Sequence, residues 1–289
     1  VVENRDQATG LRRMNNPQPV KVIAVTSGKG GVGKTNLSVN LSLALSQLGK
    51  EVMLMDADLG LANVDVLLGL NPKYNLLHVI NGERTLDEIL VDGPNGVKII
   101  PASSGTQKMA ELSRSEHIGL IRAFSELSYP LDYLLIDTAA GISDGVISFV
   151  RASREVIVVV CDEPASITDA YAMIKVLNRD YGVSRFHVIA NMVRNQKEGP
   201  ELFRKLSIVT ERFLDVPLDY LGAVSFDENL RKAIQRQKPI LEMFPGTSAS
   251  LCIKELARKI DKWSLPRNAE GHLEFFVERL IEYSVQSGV

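Results

Sequence analysis

Apolar positions along the chain follow two alternating patterns. Unbroken Val/Ile/Leu-rich runs recur at Val20–Val25 (VKVIAV), Val52–Met55, Val97–Ile100, Tyr133–Ile136, Val156–Val160 and Val188–Ala190, with Tyr220–Val224 a weaker member. A strand covered on both faces needs no polar alternation, so such runs suit a parallel sheet sandwiched between helices. Between them, apolar residues return every three or four positions. Lys34–Leu48 places Leu37, Leu41, Ala44, Leu45 and Leu48 on one stripe, and Ser115–Leu127 carries Ile118, Ile121 and Leu127. Ser166–Asp169 has the S-x-x-D form of a capping box before a helix reaching Leu177. Glu201–Phe213 reads as a helix beginning after the breaker pair Gly199-Pro200, and Ser248–Trp263 as another. This βαβ alternation implies a doubly wound α/β domain, mostly parallel, over residues 20–263. Residues 1–19 have the composition of a polar tail and 264–271 that of a linker. Residues 272–289 form a last amphipathic helix.

Composition narrows the classes without choosing among them. The chain has 289 residues, 45% of them hydrophobic, long enough for a sizeable core. With 33 Lys+Arg against 35 Asp+Glu the net charge is −2, which argues against a mainly electrostatic nucleic-acid binder. The exposed-looking cluster Arg231, Lys232, Arg236 and Lys238 reads as an ordinary solvated face. Cys161 and Cys252 stand far apart, so neither a disulfide scaffold nor a cysteine-built zinc site is expected. No run approaches the ~18–20 apolar residues of a membrane span, and VVENRDQATGLRR lacks a signal-peptide core. The chain opens at Val1, so removal of something upstream is expected, and a cytosolic setting suits the unpaired cysteines.

Chemistry enters at Gly28-Lys29-Gly30-Gly31-Val32-Gly33-Lys34-Thr35, which fits G-x-x-x-x-G-K-[ST] directly after the first strand and at the start of the first helix. Glycines allow the backbone to aim several N–H groups at phosphate oxygens, and the helix N-terminus adds partial positive charge. Lys34 is expected to reach the β- and γ-phosphates and Thr35 to hold Mg²⁺. Asp56-Ala57-Asp58 closes the second strand, and Asp137 closes the apolar run Tyr133–Ile136. Carboxylates at strand carboxyl ends beside a phosphate loop are placed for metal and water chemistry.

The second lysine, Lys29, distinguishes K-G-G-V-G-K-T from the basic motif. In this form the loop resembles the deviant Walker A of the MinD/ParA class of dimerising ATPases, and the other motifs follow in the order of that class. The resemblance implies ATP and Mg²⁺ as cofactors and hydrolysis of ATP by in-line attack of water. It implies that Lys29 reaches the partner's nucleotide in a homodimer, that Asp58 orients the water, and that Asp56 and Asp137 support the metal with Thr35. It also implies that Asn191, in Asn191-Met192-Val193-Arg194, contacts adenine, with Val216-Pro217-Leu218 lining the other side of the base and Pro217 the contact residue. No N-K-x-D guanine motif appears at a strand end.

Within the class the chain is most similar to the flagellar-number branch, the FlhG/FleN type. Asp58–Asp65 (DLGLANVD) and Asp137–Gly141 (DTAAG) look like its switch loops. Asp6, Gln7, Ala8, Leu11 and Arg12 match its D-Q-A-x-x-L-R segment, which implies activation of an SRP-type flagellar GTPase. Leu273, Phe276, Val277, Leu280 and Ile281 form a narrow apolar face, which in MinD-like proteins serves membrane binding. Its polar side carries Glu274, Glu278, Arg279 and Glu282, so anionic lipid offers it nothing and apolar burial would have to drive insertion. Packing on the body or on another subunit is the alternative, and a helix docked without ATP and released on dimerisation would reconcile the two. Other partners implied are a flagellar transcription activator and switch/C-ring proteins. The expected location is the cytoplasm, reversibly at the inner membrane face and at a cell pole, with no nucleic acid partner. A chain that binds ATP only to sequester the activator is the competing reading, with ParA-type DNA partition a third.

Overall fold

In the computed structural model, residues 19–58, 63–101, 119, 121–124, 126–127, 129–214, 216–264 and 276–279 are described. The apolar runs become strands: β1 (Lys21–Ser27), β2 (Val52–Ala57), β3 (Val91–Asp92), β4 (Lys98–Ile100), β5 (Tyr133–Ala140), β6 (Glu155–Cys161), β7 (Phe186–Val193) and β8 (Leu218–Ser225). They pair in the order β3-β4-β2-β5-β1-β6-β7-β8. Every pairing is parallel except that of β3 with β4. The chain thus winds outward from β1 on one side, returns through β5, and leaves on the other.

Successive side chains of a strand point to opposite faces, and β1 shows how both are used. Ile23 and Val25 join a cluster with α1 (Lys34–Gln47) and α10 (Ser248–Asp261). Val22 and Ala24 face the other layer, which holds α5 (Asp144–Ala152), α6 (Pro164–Arg179) and α7 (Glu198–Leu214). Short helices complete the connections: α2 (Val64–Leu68), α3 (Leu76–Ile80), α4 (Leu86–Ile89), α8 (Glu228–Gln235) and α9 (Ile240–Met243).

Several boundaries differ from expectation for identifiable reasons. α6 begins at Pro164, whose fixed φ suits a first turn, so Ser166 lies inside the helix rather than capping it. Its buried hydroxyl instead accepts from the N–H of Cys161 at 3.1 Å. α7 starts at Glu198 and carries Gly199-Pro200 in its first turn. The Asn195 side chain accepts from the amides of Lys197 and Glu198, and Gly199 fits closely against β8, where a Cβ would lie 2.8 Å from the Ala223 Cβ. α1 is not one-sided. Ser38, Asn40 and Ser42 are buried with its leucines, since α10 and α9 cover its outer face, while Leu48 is exposed. β3, α5 and the short helices α2, α3, α4, α8 and α9 fell outside the sequence expectations altogether.

Of the expected membrane face, Phe276 and Val277 are described, and both are buried on the body, in a cluster with Met53, Met55, Phe124, Phe149 and Ala152. These two residues pack on their own chain, the alternative to a lipid-facing surface. Leu273, Leu280 and Ile281 lie outside the described residues, as do Asp6, Gln7, Ala8, Leu11 and Arg12.

Candidate functional site

The phosphate loop spans the gap between β1 and α1, at the carboxyl end of the parallel strands. Its shape demands glycine at two kinds of position. Gly31 and Gly33 have φ of 81° and 84°, the left-handed region that side chains resist. Gly28 is constrained by space: a Cβ there would meet the backbone carbonyl carbon of Asp169, in α6, at 2.3 Å. Gly30 has open space around it. Ser27 Oγ donates to the Lys29 carbonyl at 3.0 Å, bracing the turn from the strand side.

Asn191 braces the loop from the other side. Its amide nitrogen donates to the Val32 carbonyl at 2.7 Å and it is buried. The amide expected on adenine is therefore engaged with the P-loop backbone here. Pro217 is a clear correction. It is exposed and immediately precedes β8, where Leu218 pairs with Phe186 at the start of β7. Asn191 lies five residues further along β7, and with Pro217 one residue before Leu218 the separation along the strands, at ~3.3 Å per residue, is about 20 Å, which puts Pro217 at the wrong end of the sheet for the base. The residues at the site end of β8 are Ser225 and Phe226, whose N–H donates to the Val193 carbonyl at 2.8 Å; Phe226 is exposed.

The two loop lysines part company. Lys34 Nζ is buried and lies 3.3 Å from Asp137 Oδ1. Ser38 Oγ donates to the same oxygen at 2.8 Å, one helical turn after Lys34. Burial pushes the Asp137 carboxyl upward, and Lys34, Thr35 and Ser38 pull against that rise. Asp137 Oδ2 is buried without a hydrogen-bond partner. Lys29 instead extends over the surface to Glu163, Nζ to Oε2 at 2.6 Å, and this hydrogen bond raises its pKa. Glu163 precedes α6 and carried no signal in the sequence.

Asp56 and Asp137 are register partners on β2 and β5. Asp56 accepts from three backbone amides that follow β2: Oδ1 from the Asp58 N–H at 3.1 Å, and Oδ2 from those of Asn63 and Val64 at 3.0 Å each. Burial pushes its carboxyl up to about 6, Asp137 adds to the rise, and the Val64, Asp58 and Asn63 amides oppose it. Asp58 receives a hydrogen bond from Asn63 Nδ2 at 3.2 Å. Just after β5, Gly141 takes φ 91° and donates to the Ser27 carbonyl, so the end of β5 is tied to the entrance of the P-loop.

A magnesium ion fits this donor set. A hard cation prefers oxygen, and Mg²⁺ uses one or two carboxylates together with waters and substrate phosphates. The orphaned buried Oδ2 of Asp137 is such an oxygen, and the Thr35 hydroxyl and, by its charge, Asp56 stand beside it. Cys161 is not poised for metal. It is buried, its sulfur lies 3.7 Å from the Val32 carbonyl, and burial pushes its thiol up to about 11. Cys252 contacts Ser225 instead.

A match to known proteins decides the family. Residues 18–261 match the ParA family described as "NUBPL iron-transfer P-loop NTPase". The chain belongs to the MinD/ParA family of P-loop ATPases. It is an ATPase that uses ATP and Mg²⁺. It is 60% identical to antiactivator FleN of Pseudomonas aeruginosa over 94% of this chain and 98% of that protein. It is 35% identical to the flagellum site-determining protein YlxH of Helicobacter pylori, over 93% and 92%. Among solved structures it resembles MinD of Aquifex aeolicus (29% identity, TM-score 0.65, 86% of this chain and 100% of that one). It also resembles MinD complexed with Mg-ADP from Pyrococcus horikoshii (27%, TM-score 0.67, 84% and 96%).

Proposed function

We propose that this ATPase is a dimerising switch that regulates flagellar number and placement. The observation that carries the reading is the divided pair of lysines. Lys34 is held inside the site by Asp137, whereas Lys29 lies on the surface with a single exposed carboxylate as its anchor. A lysine that can leave Glu163 can serve a second copy's nucleotide, neutralising charge that develops on the transferring phosphoryl group. Lys34 and the amides of residues 28–35 cradle the phosphates, and Asp58 orients the attacking water. Thr35, Asp137 and Asp56 would hold Mg²⁺, which when bound would supply charge neutralisation at the phosphates. Flagellar regulation is supported by the two relatives whose names concern the flagellum or the antiactivator role. The segment Asp6–Arg12 activates an SRP-type GTPase partner. The face containing Phe276 and Val277 leaves the body on dimerisation to meet the membrane.

The test is Asp58→Ala, followed by gel filtration and turnover. It should accumulate as an ATP-dependent dimer with impaired hydrolysis; a monomer, or unchanged turnover, would show that Asp58 has another role. The word "antiactivator" in the name of the 60%-identical relative favours a second reading, in which the ATP-bound form sequesters a flagellar transcription activator without needing turnover. The same variant separates the two in cells, where unchanged flagellar number would favour sequestration.

A further inference from the structure

Asp137 lies fully buried on β5, and its two oxygens have unequal surroundings. Oδ2 has no hydrogen-bond partner. Oδ1 meets Lys34 Nζ at 3.3 Å and Ser38 Oγ at 2.8 Å. With Thr35, three side chains from the start of α1 act on this one carboxylate. They differ in what else claims them. Lys34 and Thr35 are the residues expected to meet the phosphates and the metal. Ser38 lies one helical turn deeper and is buried. Among the described residues its hydroxyl has one other contact, the Lys34 carbonyl at 3.1 Å.

A serine buried inside a helix is a poor choice for packing alone. Its helix preference is below that of Ala or Leu, and its hydroxyl is costly to bury unless bonded. A bond to the carbonyl one turn back would meet that need, as at Ser42, whose Oγ donates to the Ser38 carbonyl at 2.9 Å. Ser38 differs in having a carboxylate within reach. A hydroxyl has a single proton to donate, and a charged acceptor at the shorter distance draws it.

We propose that Ser38 is a positioning residue for the metal site: its hydroxyl holds Asp137 Oδ1 while Lys34 and Thr35 serve the nucleotide, and so keeps Oδ2 as the oxygen offered to Mg²⁺. The proposal rests on the reading that Asp137 holds the metal. Lys34 reaches Asp137 along a flexible stem and by the longer contact, so it can leave for a phosphate. The Ser38 hydroxyl stands on the first side-chain carbon of a helix packed against β5 and stays in place. Without it, departure of Lys34 would free the carboxylate to turn about its side-chain bonds, and metal binding would bear the cost of ordering it. Groups that orient a metal ligand in this way change metal affinity by about 10–100-fold.

The test titrates the full chain with ADP in excess EDTA and again at saturating Mg²⁺; the ratio of the two affinities is the gain due to the metal. Ser38→Ala is expected to leave the affinity in EDTA within about twofold of the parent and to cut the gain about tenfold. Ser42→Ala removes an equally buried hydroxyl from the same helix, bonded to backbone rather than to Asp137, and should leave the gain unchanged. Ser38→Thr keeps the hydroxyl and should hold the gain within about threefold of the parent. Asp137→Asn should abolish the gain. A gain intact in Ser38→Ala but lost in Asp137→Asn would overturn the part given to Ser38 and leave that of Asp137 standing. Equal losses in Ser38→Ala and Ser42→Ala, or in Ser38→Ala and Ser38→Thr, would do the same. A parent without a gain, or a gain intact in Asp137→Asn, would overturn both.

Discussion

Lys29 and Lys34 stand in one loop yet occupy opposite environments, and the difference is chemical rather than local. Lys34 heads α1 and turns inward to a buried carboxylate; Lys29 turns outward to Glu163. Lys29→Ala is expected to reduce turnover by about 10²–10³ while nucleotide affinity changes little, the pattern of a group needed only as charge develops. Glu163→Gln is expected to raise ATP-dependent dimer formation a few-fold, since it loosens the anchor. Stopped-flow dimerisation and steady-state turnover measure both, and slower dimerisation in Glu163→Gln would mean that Glu163 positions Lys29 instead of restraining it. Asp56 gives a pH prediction. Its folded pKa is raised to about 6 from 3.8, so the folded chain holds that proton more tightly than the unfolded one. The resulting stability is complete below the unfolded pKa and is lost as pH rises through about 6. The nucleotide-free parent should therefore lose stability relative to Asp56→Asn between about pH 4 and pH 6.5, with little further change above. Denaturation midpoints of both proteins check this, and a constant gap would rule out titration of Asp56 in that window.

At the scale of elements, the strands other than the short, partly exposed β3 were legible because a doubly covered strand writes its burial as an unbroken apolar run. The P-loop was legible because its glycines and its place between strand and helix are both local. Helix starts were less so. Ser166 has the residue type of a cap, but Pro164 had already begun the helix, and the hydroxyl was left to satisfy the Cys161 amide. Ser166→Ala should cost about 1–2 kcal/mol through that buried amide, measured by chemical denaturation. The loop glycines separate in the same way. Gly28→Ala would push a Cβ into rigid backbone of α6 and should cost about 1–3 kcal/mol, with weakened ADP binding. Gly30→Ala, in open space, should fold with stability near that of the parent. At the C-terminal segment, Phe276→Ala removes a buried ring from a small docked piece. Faster proteolysis of that segment with an intact thermal transition of the body is the expected outcome.

The whole molecule has two ends with different work. The carboxyl ends of the strands carry the nucleotide site. The amino ends carry a polar foundation that ties α10 to the sheet. There Lys21 is buried, donates to the carbonyls of Ile260 and Asp261 at 3.4 and 3.2 Å, and has its pKa lowered chiefly by burial. Tyr133 donates to Asp261 at 2.9 Å, and Lys50 pairs with the same carboxylate at 3.0 Å. His187 stacks on Trp263 with ring centroids 4.1 Å apart. Tyr133→Phe should cost about 1 kcal/mol and loosen the end of α10, read by hydrogen exchange at residues 257–263.

The sequence by itself determined the fold class, the phosphate loop, the carboxylates at the ends of β2 and β5, and the family. Each depends on residue types within a few positions of one another, where backbone preference and periodicity operate. The tertiary structure decided which side chains meet across the sheet. Pro217 sits three residues beyond Leu214 at the close of α7, yet parallel pairing of β8 with β7 sends it to the floor and leaves Phe226 at the site. Asn191 is bonded to Val32, Lys29 to Glu163, and Ser38 to Asp137, over separations of 159, 134 and 99 residues. Such contacts depend on strand order and register, set by hydrogen bonding and burial summed over the whole sheet, and no short stretch of sequence records them.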